Sequence, residues 1–207
     1  MSRMAVIDFE TTGISPAMGD RATEVAIVLL EGGRVVDRFQ SLMNAGVHIP
    51  AFITQLTGIT NAMVQAAPPA ETVMAEAARF VGEVPMVAHN ASFDRRYWVA
   101  ELARAGQAAQ HPFACTVLLS RRLYPEAPSH KLGNLVDLFH LPRTGKAHRA
   151  LADAEMAAEL LGRIQHDLRT RHGVPNPDHA FLMGLQRCTK PAVAKLLRQV
   201  AAKACQP

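Results

Sequence analysis

The sequence predicts an α/β fold, a mixed β-sheet flanked by helices, from three observations. Val-, Ile- and Leu-rich runs at 4–9, 23–30 and 34–43 follow one another, and short apolar runs of this kind read as buried strands. A fourth apolar run, at 84–89, lies between two stretches of helical periodicity. Strands first and then strand–helix alternation place helices over a mixed sheet. At 207 residues and 49% hydrophobic, the chain is one domain with at most a modest appendage, large enough for a true core.

The elements follow in order. The run at 4–9 opens the sheet. Glu31-Gly32-Gly33 separates the next two runs, and two glycines there signal a hairpin, so the first three strands form an antiparallel meander. Residues 50–57 form a short helix that Gly58 stops, and 70–81 an amphipathic helix after Pro68-Pro69. The strand at 84–89 leads into a helix at 93–105 that ends at Gly106, with Ser92 as its cap. Further helices cover 116–124, 131–139 and 148–171. His172-Gly173-Val174-Pro175-Asn176-Pro177 reads as a linker, with helices to follow at 178–186 and 191–203. The chain thus divides into a domain at 1–171 and a linker with a helical C-terminal extension at 172–207.

Aromatic residues make up only 5%, so the core is built from Ala, Val, Leu, Ile and Met. The net charge of +4, from 22 basic and 18 acidic residues, fits a polyanionic partner without requiring one. Cys115, Cys188 and Cys205 are distant and odd in number, which excludes zinc-ligand spacing and a disulfide framework. The N-terminus enters strand-like sequence without signal-peptide architecture, and no apolar run spans a bilayer. A cytoplasmic protein with no membrane partner is expected.

Chemistry concentrates in three places. Asp8 and Glu10 are two apart on the first strand, so both point to one face and Phe9 to the other. The Thr11-Thr12-Gly13 turn that follows is suited to presenting backbone N–H groups to a phosphate or a terminal hydroxyl. Asp94 falls in the first turn of the helix after the strand at 84–89. His148 and Asp153 are five apart and would diverge by about 140° on a continuous helix. They converge only if His148 lies on the loop or at the helix's first residue, and the polar run Arg143-Thr144-Gly145-Lys146 suits a loop. Each device alone has a second explanation: a hydrated strand end, a carboxylate favouring a helix dipole, a surface histidine, a solvated helix acid. Together, four carboxylates, three of them in strongly apolar company, are costly to bury unless cations compensate them.

Asp-x-Glu-Thr-Thr-Gly, then His-Asn-x-x-Phe-Asp, then His-x-x-x-x-Asp, in this order over about residues 4–165, resembles the DEDDh (DnaQ-like) 3′→5′ exonucleases. The stretches around Asp94, Cys115 and His148 are most similar to the exonuclease X branch and to polymerase proofreading subunits. The resemblance implies a ribonuclease-H-like exonuclease fold, a mixed five-stranded sheet flanked by helices. It implies two divalent cations, Mg²⁺ or Mn²⁺, held by Asp8, Glu10, Asp94 and Asp153, with His148 as general base. It further implies a pocket for the 3′-terminal nucleotide. Thr11, Thr12 and Gly13 would meet the sugar, and Ile14, Leu56 and Phe93 would wedge the bases. Asn90 and Thr57 complete the implied contacts, although Thr57 stands where many relatives carry His. The expected substrate is a single-stranded or frayed DNA 3′ end, in repair or proofreading. The alternatives are an RNA-trimming exoribonuclease, a non-catalytic scaffold, and a small-molecule phosphoesterase of the same fold. The basic extension, with Arg187, Lys190, Lys195, Arg198 and Lys203, is suited to nucleic acid, a polymerase partner or a homodimer, or else packs back on the domain.

Overall fold

A computed structural model describes residues 3–143, 145 and 148–204. Thr144, Lys146, the Lys203 side chain and Cys205 lie outside the described residues. The sheet has five strands: β1 (Arg3–Thr11), β2 (Ala22–Glu31), β3 (Arg34–Leu42), β4 (Met86–Ala88) and β5 (Phe113–Cys115). Their order is β3-β2-β1-β4-β5. The meander β1-β2-β3 is antiparallel, as the glycine pair predicts, and β4 and β5 add in parallel. The run at 84–89 narrows to three paired residues. No local signal reads out β5, because Phe113-Ala114-Cys115 is too short for periodicity and its place is set by parallel pairing to β4.

The helices are α1 (Ala51–Thr57), α2 (Asn61–Gln65), α3 (Ala70–Val81), α4 (Ala91–Arg104), α5 (Thr116–Leu123), α6 (Leu132–Leu138), α7 (Ala150–Thr170), α8 (His179–Arg187) and α9 (Lys190–Ala204). Among them α2, a single turn capped by the Thr60 hydroxyl on Met63 N–H, is not anticipated from sequence. Two starts differ from expectation. Helix α4 begins at Ala91 with Asn90 as its cap residue, so Ser92 lies inside the first turn instead of capping it. Helix α7 begins at Ala150, which leaves His148 on the loop.

Strand alternation divides β1 between two cores. Ala5, Ile7 and Phe9 join α3 and α4 on one face. Met4 and Val6 face α7 on the other, with Leu160, Leu161 and Ile164. Asp8 and Glu10 continue the Met4–Val6 row and therefore point toward α7 at the strand's C-terminal end. The two last helices join the α7 layer through Leu182, Leu185, Val193 and Leu197. His179 Nε2 contacts Met86 O at 2.8 Å, and Gln186 Oε1 accepts Cys115 N–H at 2.7 Å. Arg187, Lys190, Lys195 and Arg198 remain exposed. Among the described residues no helix is long and apolar enough to cross a membrane.

Candidate active site

Three backbone devices bring the acids together. The first is β1 itself, which presents Asp8 and Glu10 side by side. The second is the start of α4. There Asp94, 2% exposed, accepts Phe9 N–H at 3.3 Å, which fastens α4 to β1 between the two strand acids. The third is the start of α7, and its anchor is a carboxylate in β2. Glu24 pairs in register with Glu10 and is fully buried. It accepts bonds from Arg149 Nη2 (2.7 Å) and Nε (3.1 Å), from Ala150 N–H (3.1 Å) and from Gln40 Nε2 (2.8 Å). The Ala150 bond satisfies one of the helix's unpaired N-terminal donors from outside the helix, as a capping side chain normally does. The first turn of α7 is thereby seated over β1, with Asp153 facing Asp8 and Glu10.

His148 precedes this turn with a positive φ of 61°. Its N–H donates to Asp153 Oδ2 at 3.1 Å, so the backbone curls back toward the acid and the five-residue spacing closes. The imidazole is exposed. Ligand atoms of Glu10, His148 and Asp153 lie within 4.8 Å of one another.

Crowding shows in the carboxyl groups. Burial, then the charges of Asp94, Asp153, Glu10 and Glu24, hold Asp8 well above the usual carboxylate range. Burial, then Asp153 and Glu24, push Glu10 up to about 8 against the opposing charge of Arg149. Burial likewise pushes Asp94 up to about 8, against the Phe9 N–H bond. Asp153 is raised by burial and partly relieved by the His148 N–H. Glu24 goes the other way because its four donors outweigh its burial. Carboxylates gathered at this cost, with no basic partner for Asp8 among their causes, fit hard divalent cations, which prefer oxygen ligands.

The acids open into a cavity of about 680 Å³ whose lining includes Asp8, Glu10, Asp153 and His148. Asp94 lies behind its wall. Gly13, Ile14, Phe52, Leu56 and Phe93 line the same cavity. The turn after Glu10 is held from within. Thr11 Oγ1 donates to Gly13 O (2.6 Å), Tyr97 OH donates to the same oxygen (2.9 Å), and Thr12 Oγ1 accepts Arg21 N–H (3.0 Å). A side chain at Gly13 would collide with the Asp20 carboxylate. At the rim, Ile14 is 73% exposed, Phe52 66% and Leu56 48%.

Two implied contacts sit differently from the rest. Thr57 lines the cavity, but its hydroxyl donates to Ile53 O and accepts Ile59 N–H, both at 3.0 Å, which makes it the internal brace of the α1 end. Asn90 lies outside the cavity, in a neighbouring groove. Sequence reasoning misses Phe52, Asp20, Glu24 and Arg149. Phe52 had a signal, since it is four residues before Leu56 and on the same helix face. Glu24 had one too, as a carboxylate directly before the apolar run Val25-Ala26-Ile27-Val28. Asp20 had none.

The five-strand order, with these acids meeting at the end of its central strand, defines a nuclease of ribonuclease-H-like fold. The chain belongs to the exonuclease family, whose profile matches residues 5–161, and its three motifs put it among the DEDDh 3′→5′ exonucleases. It is 40% identical over 168 residues to the 3′-5′ exonuclease DinG of Bacillus subtilis, covering 81% of this chain and 18% of that protein. It is 37% identical over 164 residues to the PolC-type DNA polymerase III of the same organism, covering 78% and 11%. The chain therefore spans less than a fifth of the length of these relatives. Among solved structures, exonuclease X in complex with 5′ overhanging duplex DNA matches with a TM-score of 0.65 and 30% identity, over 80% of this chain and 92% of that one. Escherichia coli exonuclease I with a dT13 oligonucleotide shares the fold at a TM-score of 0.71 and 19% identity, over 89% and 46%. The family's fold implies divalent metal ions.

Removing the Glu24 anchor tests how α7 is seated. Glu24→Ala leaves Arg149 and the Ala150 N–H without their acceptor, a loss of about 1–3 kcal/mol. Urea unfolding should show this decrease, and an unchanged midpoint would remove Glu24 from the anchor.

Proposed function

We propose that this domain releases nucleotides from the 3′ end of single-stranded or frayed DNA, using two Mg²⁺ or Mn²⁺ ions, in repair or proofreading. The observation that carries this reading is the convergence of Asp8, Glu10, Asp94 and Asp153 beside an exposed histidine, at a cavity that also carries exposed apolar and aromatic side chains. Asp8, Glu10 and Asp153 would hold the cations directly, and Asp94 would support them through β1. When bound, the cations supply Lewis-acid activation of water and neutralise charge on the phosphoryl oxygens. His148 takes the proton of the attacking water on an imidazole nitrogen, as a general base within reach of the acids. Ile14, Phe52, Leu56 and Phe93 offer apolar and aromatic surface to unstacked bases, which favours a strand end over paired duplex. The DNA held by exonuclease X in its complex supports the choice of DNA.

A cytoplasmic location belongs to the same reading, as does a second copy or a polymerase at the exposed basic face of α8 and α9. The domain boundary near residue 171 is likewise proposed, with the last two helices as an appendage packed onto the α7 layer. End-labelled single-stranded DNA, duplex DNA and matched RNA, incubated with Mg²⁺, test polarity and sugar preference together. Shortening from the 3′ end of DNA is expected. Faster shortening of RNA would replace the substrate, and no shortening of either would sink the assignment. EDTA should silence the reaction and Mg²⁺ or Mn²⁺ restore it; turnover that persists in EDTA contradicts the metal role.

A further inference from the structure

A chain of three cavities runs beside the active site. The first, about 720 Å³, is lined by Ser15, Ser92, Arg95 and Arg96. It shares Ser92 and Arg95 with a second of about 430 Å³ that reaches Asn90 and Arg121. That one shares Asn90 and Arg121 with a third of about 580 Å³ that ends at His130 and Lys131. The groove adjoins the active-site cavity at two points. Ser15 follows Ile14 in the chain and Ser92 precedes Phe93, and both Ile14 and Phe93 line the catalytic side. The first turn of α4 is thus the divider. It sends Asp94 inward to β1 and leaves Arg95 and Arg96 exposed to the groove.

The groove's charge has one sign. No carboxylate lines any of the three cavities among the described residues. Arg95, Arg96, Arg121 and Lys131 are all exposed. None of the four is in an ion pair among the described residues, whereas Arg21, Arg149 and Arg163 are committed to buried carboxylates. The His130 imidazole registers the same field: burial, then the charges of Arg121 and Lys190, push it below its ordinary value. A concave, single-signed surface of this kind concentrates a polyanion.

We propose that this groove holds the phosphodiester backbone of single-stranded DNA upstream of the scissile bond, with Arg95, Arg96, Arg121 and Lys131 as its phosphate contacts. The inference rests on the nuclease reading above and adds to it the path of the strand outside the cavity. A 3′ end seated at the carboxylates requires the remaining chain to leave past the rim, and Ser15 and Ser92, the chain neighbours of Ile14 and Phe93, line this surface. Phosphate contacts carry no sequence preference, so the groove serves any sequence.

The test compares the wild-type chain, a variant with all four residues changed to Ala, and a variant with the three arginines changed to Lys. Binding of a long labelled oligothymidylate is followed by anisotropy across salt concentrations, with EDTA present so that nothing is cleaved. For every phosphate no longer neutralised, the slope of log affinity against log salt should flatten by about 0.7. The Ala variant should therefore bind more weakly and with a shallower slope, and the Lys variant, which keeps its charge, should retain the slope. In parallel, hydrolysis of the p-nitrophenyl ester of thymidine monophosphate, which fills only the catalytic cavity, should be equal in all three. Equal slopes for wild type and the Ala variant overturn the groove, whatever the hydrolysis shows. A wild type that binds with the expected slope yet hydrolyses neither ester nor oligomer overturns the nuclease reading and leaves the groove standing.

Discussion

Asp8→Asn is expected to abolish nucleotide release and, in the same molecule, to stabilise the metal-free protein. Asp8 is the acid whose carboxyl is surrounded by all the others, with Asp94, Asp153, Glu10 and Glu24 each raising it. Replacing it by its neutral isostere removes a cation ligand. Several kcal/mol of charge stabilisation at the reacting phosphate then goes with it, a rate loss of ~10³-fold or more. The same replacement relieves the repulsion on the acids that remain. In EDTA near pH 8 the melting temperature should rise, at roughly 2–4 °C per kcal/mol for a chain of this size.

The pH dependence carries the sign. Carboxyls raised in the folded state favour their protonated form there. Their contribution to stability is complete below the ordinary carboxylate range and is lost as pH rises. For Glu10 the window runs from 4.5 to about 8, and for Asp94 from 3.8 to about 8. Glu24 and Asp167 are lowered instead, so their contribution is lost only at more acid pH. Wild-type protein in EDTA should therefore melt at progressively lower temperature as pH climbs from about 5 to about 8. Mg²⁺ should flatten that decline, and Asp8→Asn should make it shallower. A melting temperature that stays constant over the window, or a fully active Asp8→Asn, would dissolve the proposed site.

The second large effect is at His148. His148→Ala should slow hydrolysis by the ~10²–10⁴-fold expected for a lost general base, with cation affinity measured by calorimetry kept. Both halves matter, because ligand atoms of His148, Glu10 and Asp153 lie within 4.8 Å. If cation affinity falls in step with the rate, His148 is a ligand and the proton goes elsewhere. Its backbone adds a control. The left-handed φ of 61° and the N–H bond to Asp153 belong to the main chain, so truncating the imidazole leaves the acid's hydrogen bond in place.

How far the sequence reveals this site follows from the range of the forces involved. The strand acids are legible because alternation along β1 is local, and so is the glycine hairpin after β2. The requirement that His148 leave the helix is also local, since 3.6 residues per turn forbids convergence at a spacing of five. Less legible is whatever depends on distant partners. Strand β5 exists through pairing to β4. Ser92 looks like a cap, yet Asn90 takes that place by adopting a left-handed φ of 72°. The braced Thr57 hydroxyl depends on how α1 ends. Glu24 is the clearest case, a carboxylate inside an apolar strand whose partner is 125 residues away. The groove beside the site is likewise assembled by α4, α5 and the start of α6, and no single run of sequence announces it.

The two ties that seat the acids join residues 85 and 126 positions apart, Phe9 to Asp94 and Glu24 to Ala150. Contacts of such separation form only after the intervening chain has closed its loops, late in folding. During synthesis, the strand acids are made first and Asp153 last, with α7 still to be completed. Until α7 has emerged, the nascent chain holds no assembled set of acids. A partly unfolded molecule that loses the α7 anchor is disarmed at the same moment. Assembly of the acid cluster is tied by topology to completion of the fold.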